Sequence, residues 1–324
     1  LGVIVNEAYR LLVGISVEES AAALVPTLVN FVLVVCSLPV LALIWGGVFL
    51  ANRIALDEIG VLTLVAHRTA WAALLLWGVV LAMRLPLPRQ PRLWGALVVM
   101  GLLNNVVPFT LLNWRQLHIE SGLTSIFNAA TAIFAVLVAA LVFDDERLTL
   151  RKGVGVSLGF IGVAAAIGLD NLARFDPRSL AQLAALAATL SYALAGAWAR
   201  RTLRGLPPQI AAAGMLTASS LMILPTAWIM EGPFTLALPA PTLVALGFAS
   251  LIATAGAYLL YYRVLDMAGS GNLLLVTLLI PPFAIGLGAL VLGETLAPRA
   301  FLGFGLLALG LLVIDGRLQG RLRR

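Results

Sequence analysis

The amino-acid sequence predicts an all-α integral membrane protein with ten transmembrane helices, arranged as two inverted five-helix repeats with both termini in the cytoplasm. Three observations support this prediction. Hydrophobic residues make up 61% of the 324 residues and charged residues only 11%, and the mean hydropathy is +1.02. The apolar residues form ten runs, separated by short charged or Pro/Gly-containing breaks. Residues 111–168 align with residues 259–316 without a gap, at an offset of 148.

Each apolar run is close to the ~20 residues that a helix needs to cross a bilayer. The runs are continuous and rich in Leu, Ala and Gly, unlike the alternating segments of ~10 residues that form an outer-membrane barrel. In chain order the predicted spans are residues 28–51, 60–83, 93–113, 122–143, 150–169, 179–199, 208–230, 241–262, 271–292 and 298–315.

These spans divide the chain into a first repeat over residues 28–170, a second repeat over residues 176–316 and a basic cytoplasmic tail over residues 317–324. Residues 1–27 carry Glu7, Glu18 and Glu19 against Arg10, and they lack the basic start of a signal peptide. An amphipathic surface segment and an added extension both fit residues 1–27, which stay unassigned.

The internal repeat is supported by its matched polar and glycine positions, because leucines match by chance in so apolar a chain. If each copy holds an odd number of spans, the second copy enters the membrane from the opposite face, as in many secondary transporters. The matched pairs are Arg115/Arg263, Glu146/Glu294, Arg151/Arg299, Gly155/Gly303, Gly162/Gly310 and Gly168/Gly316.

The placement of basic residues gives the orientation. Fifteen Lys and Arg side chains fall on one side of the predicted membrane, five fall on the other, and Arg68 lies inside a span. The positive-inside rule then places both termini in the cytoplasm. The net charge of +6 therefore reflects the orientation of the chain in the membrane, and no nucleic-acid partner is expected. The loop at 144–152 falls inside and its repeat partner at 293–299 outside, so the repeats are predicted to be inverted.

Cofactor and metal motifs are not expected. The one cysteine, Cys36, allows no disulfide framework, and the closely spaced glycines lie within apolar spans and follow no strand. Glu146 and Glu294 precede spans five and ten, where a carboxylate suits a helix N-terminus, so neither needs a catalytic role.

Four features resemble the ten-helix drug/metabolite transporter superfamily, in its EamA-type branch. They are the Trp45-Gly46 pair, Arg68 early in span two, the turn at residues 293–296 (Gly-Glu-Thr-Leu) and the duplication itself. The span pattern is most similar to that of the aromatic amino-acid exporters. The halves are not equivalent, because the first repeat has Asp-Glu at 145–146 where the second has Gly-Glu. The resemblance implies a bacterial inner-membrane protein that works by alternating access with substrate near mid-membrane.

Arg68 is the clearest candidate for binding a substrate, because it lies roughly 12 Å inside span two. A buried cation is costly and is by default a functional hypothesis, here contact with a substrate carboxylate, although it could instead join helix ends. His67 is the one group in a span that titrates near neutral pH, so it either carries a coupling proton or is simply hydrogen-bonded. All fifteen carboxylates fall at span ends or in loops, which favours uncoupled transport or exchange.

Further polar and aromatic residues within spans complete the predicted substrate site, with ordinary helix packing as the alternative. Tyr258 and Tyr262 are four residues apart and share a helical face. Four residues that kink or weaken helices are predicted hinges or gates. The substrate-binding candidates are Trp45, His67, Arg68, Asn104, Asn105, Asn128, Tyr192, Tyr258 and Tyr262, and the hinge candidates are Pro108, Gly256, Pro281 and Pro282.

Together these features predict an inner-membrane secondary transporter of amino acids or related small metabolites, in the direction of export. Its partners would be the small-molecule substrate and membrane lipid, and one chain could work as a monomer. Sugars and nucleotide sugars stay open as substrates. An intramembrane enzyme would need a catalytic constellation at bilayer depth, where the spans offer only His67 and Arg68.

Overall fold

The computed structural model describes residues 17–168 and 177–315, and it describes side chains over 36–168, 180–264 and 276–315. The basic tail at 317–324 and residues 1–16 lie outside the described residues. Within the described ranges the chain forms helices joined by short connections, without a strand. The protein is all-α.

Ten helical segments follow the ten apolar runs. In chain order they are α1 Val17–Ala55, α2 Val61–Ala82, α3 Pro91–Gln116, α4 Ser121–Val142, α5 Leu150–Ile167, α6 Pro177–Thr202, α7 Pro208–Glu231, α8 Ala240–Val264, α9 Val276–Leu292 and α10 Pro298–Asp315. All but the shorter α9 are long and apolar enough to cross a membrane. Helix α1 begins at Val17 rather than near residue 28, so it includes part of the segment that the sequence left unassigned.

Helical backbone is present over Ala257–Leu292, across the connection predicted between spans eight and nine. Both arms of this helix nevertheless contact the same part of α1. The Trp45 ring lies 5.8 Å from the Tyr261 ring, and a Cβ at Gly46 would lie 2.8 Å from Phe283 Cβ. A straight helix would separate residues 261 and 283 by about 33 Å, so the arms lie side by side.

Large apolar side chains cover the outside of the bundle. Leu141, Ile229 and Leu290 are 86%, 81% and 85% exposed. A soluble protein does not leave such side chains in water in this number, whereas lipid accepts them. The structure is therefore that of a multi-pass membrane protein.

Helices α5 and α10 pack against each other through glycines. A Cβ at Gly155 would lie 2.6 Å from Gly310 O, and a Cβ at Gly162 would lie 2.6 Å from Gly303 O. The small residues let the two backbones touch, as expected for helices that associate in a membrane. The contact moves from Gly155 to Gly162 along α5 while its partner moves from Gly310 back to Gly303 along α10, so these two helices run antiparallel.

Two helices are capped at their N-termini by carboxylates from distant parts of the chain. Glu231 accepts hydrogen bonds from Leu62 N at 2.9 Å and Thr63 N at 2.7 Å, which caps α2. Glu294 caps α4 rather than α10, through the contacts given below. We call the end of the bundle where α4 begins the Glu294 end, and the end where α4 stops, near Glu146, the Glu146 end.

Candidate functional site

A central cavity of about 500 Å³ lies within the bundle, a size typical of ligand sites. Described residues from every span except α5 and α10 line it, so both halves of the chain contribute. No Asp, Glu or Lys from the described residues faces it, and Arg68 is its one charged side chain. The cavity is thus apolar with a single cation.

Arg68 is held from two sides but is not neutralised. Its Nε donates to Thr254 Oγ1 at 2.8 Å, and its guanidinium carbon lies 3.8 Å from the ring centroid of Phe109. The side chain is 7% exposed. Its two terminal nitrogens make no hydrogen bond to the described residues, which leaves four N–H donors for a ligand in the cavity. The aromatic face and the threonine fix the guanidinium in place without using the donors that would bind an anion.

Two π-helical stretches adjoin the cavity at equivalent places in the repeat. One covers Leu102–Val106 in α3, just before Pro108, and the other covers Phe248–Gly256 in α8. Shifting 102–106 by the repeat offset of 148 gives 250–254, within the second stretch. Thr254 lies in it and donates to Ala249 O at 2.7 Å, five residues back. Because π-helical turns interrupt regular helix packing and are frequent at functional sites, they mark both helices where the cavity forms.

A hydrogen-bond network joins α3, α7 and α8 beside the cavity. Asn104 Nδ2 donates to Tyr258 Oη at 2.9 Å, and that hydroxyl donates to Asn105 Oδ1 at 3.1 Å. Asn105 Nδ2 in turn donates to Ser219 Oγ at 3.0 Å. Asn104 and Tyr258 line the cavity, whereas Asn105 is fully buried behind it. The protein itself thus satisfies these asparagine groups.

Aromatic rings form one side of the cavity. Trp45 and Tyr261 are tilted together with centroids 5.8 Å apart, and Tyr258 and Tyr262 are stacked at 6.5 Å. Tyr192, from α6, lines the cavity as well. These rings give an apolar body of a ligand a large surface to contact.

Four polar lining residues were missed in the sequence, namely Asn52, Asn113, Thr131 and Thr254. Asn52 Nδ2 donates to Asn113 Oδ1 at 2.8 Å, which links α1 to α3. Thr131 lies next to the predicted Asn128 in α4, and both line the cavity. One signal could have found Asn113: it follows Phe109 by four residues and so shares its helical face.

The chain matches the EamA-like transporter family twice, over residues 32–168 and residues 179–315. The chain belongs to that family. The two matches cover the two halves of the internal repeat, and the family consists of transporters, so this EamA-like protein is a transporter and not an enzyme.

Named relatives agree with this assignment. The chain is 29% identical over 283 residues to a protein of Streptantibioticus cattleyicolor named "Probable terminal-alkyne amino-acid exporter", covering 86% of this chain and 92% of that one. It is 21% identical over 252 residues to "Uncharacterized transporter YoaV" of Bacillus subtilis, covering 78% and 86%. A solved crystal structure superposes with a TM-score of 0.61 at 19% identity, covering 89% of this chain and 96% of the other, which shows the shared fold.

Some predicted residues of this EamA-like transporter do not reach the cavity. His67 accepts a hydrogen bond from Trp71 Nε1 at 3.2 Å and packs edge-on against Phe234, at 5.7 Å between centroids. It precedes Arg68 by one residue, and a helix turns about 100° per residue, so the two side chains face different directions. The cavity therefore contains Arg68 without His67.

The four predicted hinges all lie in helices next to the cavity. Pro108 follows the first π-helical stretch, and Gly256 ends the second. Pro281 and Pro282 lie within α9, directly after Ile280, which lines the cavity. Their part in motion stays a prediction.

Glu294 binds across the two halves at one end of the bundle. Its carboxylate accepts from Ser121 N at 3.0 Å, Ser121 Oγ at 2.7 Å and Gly122 N at 3.3 Å. The repeat-related Glu146 instead accepts from Lys152 Nζ at 2.9 Å and from Arg200 at 3.3 Å. Equivalent glutamates therefore make different contacts at the two ends.

Proposed function

We propose that this protein is a bacterial inner-membrane secondary transporter that exports amino acids or related small metabolites by alternating access. Both termini are in the cytoplasm, the Glu146 end faces the cytoplasm, and one chain works alone. The central cavity is the substrate site. The observation that carries the proposal is Arg68, a cavity-lining cation whose terminal nitrogens have no partner among the described residues.

The charge of the cavity supports an anionic group on the substrate. A guanidinium inside the membrane costs free energy unless an anion compensates it, and the cavity supplies no carboxylate from the described residues. A planar guanidinium binds a carboxylate through two parallel hydrogen bonds. The aromatic side formed by Trp45, Tyr258, Tyr261 and Tyr262 suits an apolar side chain. The name of the Streptantibioticus relative supports amino acids and the direction of export.

The arrangement of the halves supports alternating access between inverted repeats. Helices α5 and α10 occupy equivalent positions in the repeat and pack antiparallel, as inversion requires. The two π-helical stretches lie at equivalent positions and adjoin the same cavity. Glu294 binds Ser121 of the opposite half at its own end, and Glu146 binds Arg200 of the opposite half at the other, so the halves meet through ionic or polar contacts at both ends of the bundle.

Transport by this mechanism needs no proton relay. Proton-driven carriers commonly use membrane-embedded Asp or Glu, and none of the described carboxylates lines the cavity. His67 packs outside it. The transporter would therefore exchange substrates or let them run down their gradient.

The test is counterflow in proteoliposomes, each batch loaded with one unlabelled compound and given the same labelled compound outside, for an amino-acid panel and for sugars, nucleotide sugars and nucleosides as controls. Saturable uptake of one or more amino acids, with none of the controls, is the expected result. Counterflow of sugars or nucleotide sugars alone, from folded protein, would contradict the proposed substrate class.

A further inference from the structure

A second polar group of residues lines the cavity, separate from Arg68. It consists of Asn52, Asn113, Asn128 and Thr131, and we call it the asparagine cluster. Asn113 lies one helical turn beyond Phe109, the ring that stacks on Arg68, so it is about 6 Å further along α3 toward the Glu294 end. The cluster is thus within the length of a small ligand that is bound to Arg68.

Polar atoms of this cluster are buried without hydrogen-bond partners. Asn52 is 3% exposed and Asn113 is fully buried, and their mutual bond leaves Asn52 Oδ1 and Asn113 Nδ2 unpaired. Asn128 Oδ1 and Thr131 Oγ1 are also unpaired. Exchanging the oxygen and nitrogen of both amides in the Asn52–Asn113 pair still leaves one acceptor and one donor free. Native proteins rarely bury such groups unless a ligand or water satisfies them.

The count of free groups indicates what they bind. Three unpaired oxygens, one of them the Thr131 hydroxyl that can also donate, accompany a single unpaired amide nitrogen. An ammonium group donates three hydrogen bonds, whereas a hydroxyl donates one and would leave two of these oxygens unsatisfied. A ligand that bridges the two groups spans two hydrogen bonds of about 2.9 Å plus the distance between its own charged groups, which covers the one-turn spacing between the cluster and the ring under Arg68. An ammonium and a carboxylate on the same carbon, as in an α-amino acid, keep that distance short.

We propose that the asparagine cluster binds the ammonium group of a zwitterionic substrate whose carboxylate binds Arg68. This inference rests on the proposed function and deepens it, because it makes the α-amino acid head, rather than any carboxylate, the recognised group. The oxygens of the cluster are neutral, so an amine without a carboxylate gains no counter-charge and is repelled by Arg68. Both simple amines and simple carboxylic acids are therefore poor substrates.

The experiment compares L-phenylalanine with 3-phenylpropanoate, which lacks only the amine, as competing substrates in counterflow. Thr131→Val removes one cluster oxygen without changing side-chain shape. The double variant N52L/N113L replaces the bonded pair by an apolar contact, which protects folding because no partner is left unpaired. Thr110→Val is the matched control, since Thr110 Oγ1 is also buried and unpaired but lies outside the cavity.

The wild type is expected to prefer phenylalanine, and both cluster variants are expected to lose about 10- to 100-fold of that preference, the size of a hydrogen bond to a charged group. The Thr110→Val variant should keep it. Cluster variants that retain the wild-type preference overturn the ammonium site and leave the proposed function standing. A wild type that carries neither compound, nor any amino acid of the panel, overturns both.

Discussion

Replacing Glu294 with glutamine should loosen the start of α4 from the opposite half of the protein. The carboxylate accepts three hydrogen bonds there, two of them through Oε2, from Ser121 Oγ and Gly122 N. A glutamine side chain has only one oxygen acceptor, and its amide nitrogen cannot accept a hydrogen bond. The E294Q variant therefore keeps two of the three contacts at most and loses the negative charge at the helix N-terminus.

The size of the effect follows from these losses. Loss of a capping side chain costs about 1 kcal/mol, and loss of a favourable charge at a helix N-terminus costs about 0.3–1 kcal/mol more. We expect the free energy of unfolding to fall by about 1–2 kcal/mol. The matched control is Glu146→Gln, at the equivalent position of the repeat. The Glu146 side chain is 37% exposed, and exposed ion pairs contribute only about 0–1 kcal/mol.

The assay is thermal unfolding of detergent-solubilised protein, followed by tryptophan fluorescence. The Tm of E294Q should fall by about 2–8 °C, at the roughly 2–4 °C per kcal/mol of domains of about 150–250 residues, and the Tm of E146Q should fall by less. Equal Tm values for the two variants would refute the assignment of Glu294 as the cap of α4.

Three further predictions use the same proteoliposome and unfolding assays. Gly162→Ala should lower the Tm, because its Cβ would meet the backbone of α10 at 2.6 Å and overpacking costs about 1–3 kcal/mol, whereas Gly153→Ala, with open space around it, should not. Tyr258→Phe should lower the Tm more than Tyr262→Phe, because among the described residues the Tyr258 hydroxyl bonds two asparagine side chains, and each lost hydrogen bond costs about 0.5–1.5 kcal/mol. His67→Gln should leave initial transport rates unchanged, and an imposed pH gradient should not alter them in either protein; a steep dependence on the gradient would show proton coupling.

Much of the fold follows from local sequence properties. The apolar runs predicted the helices because crossing a bilayer requires a long stretch without charges, and that requirement is visible residue by residue. Weakening of α3 and α8 was predicted at Pro108 and Gly256, where π-helical stretches occur. The start of α1 was missed because nothing in residues 17–27 distinguishes an extended helix from a surface segment.

The long-range contacts were not predictable from local patterns. Glu294 precedes α10 in the chain, so a local interpretation assigned its carboxylate to that helix, whereas folding brings it to Ser121 of the other half. Asn52 and Asn113 were overlooked for a similar reason. A single asparagine in an apolar helix forms no motif, and the partnership of Asn52 with Asn113 is evident only once α1 and α3 are packed together.

Arg68 was predicted because a charge within a span is conspicuous and costly. The sequence could not separate it from His67, since the direction of each side chain depends on which neighbours surround α2. Packing directs Arg68 to Thr254 and the cavity, and it directs His67 to Trp71 and Phe234.

Counterflow by Arg68 variants tests the central claim most directly. Arg68→Gln should reduce amino-acid counterflow by at least about 100-fold, the effect of removing a charged bidentate partner worth about 3 kcal/mol, while membrane expression and Tm stay near wild type. Arg68→Lys should retain part of the activity. Arg53→Gln, which alters an exposed pair with Asp57, should transport normally. Wild-type counterflow by Arg68→Gln would contradict a carboxylate site in the central cavity.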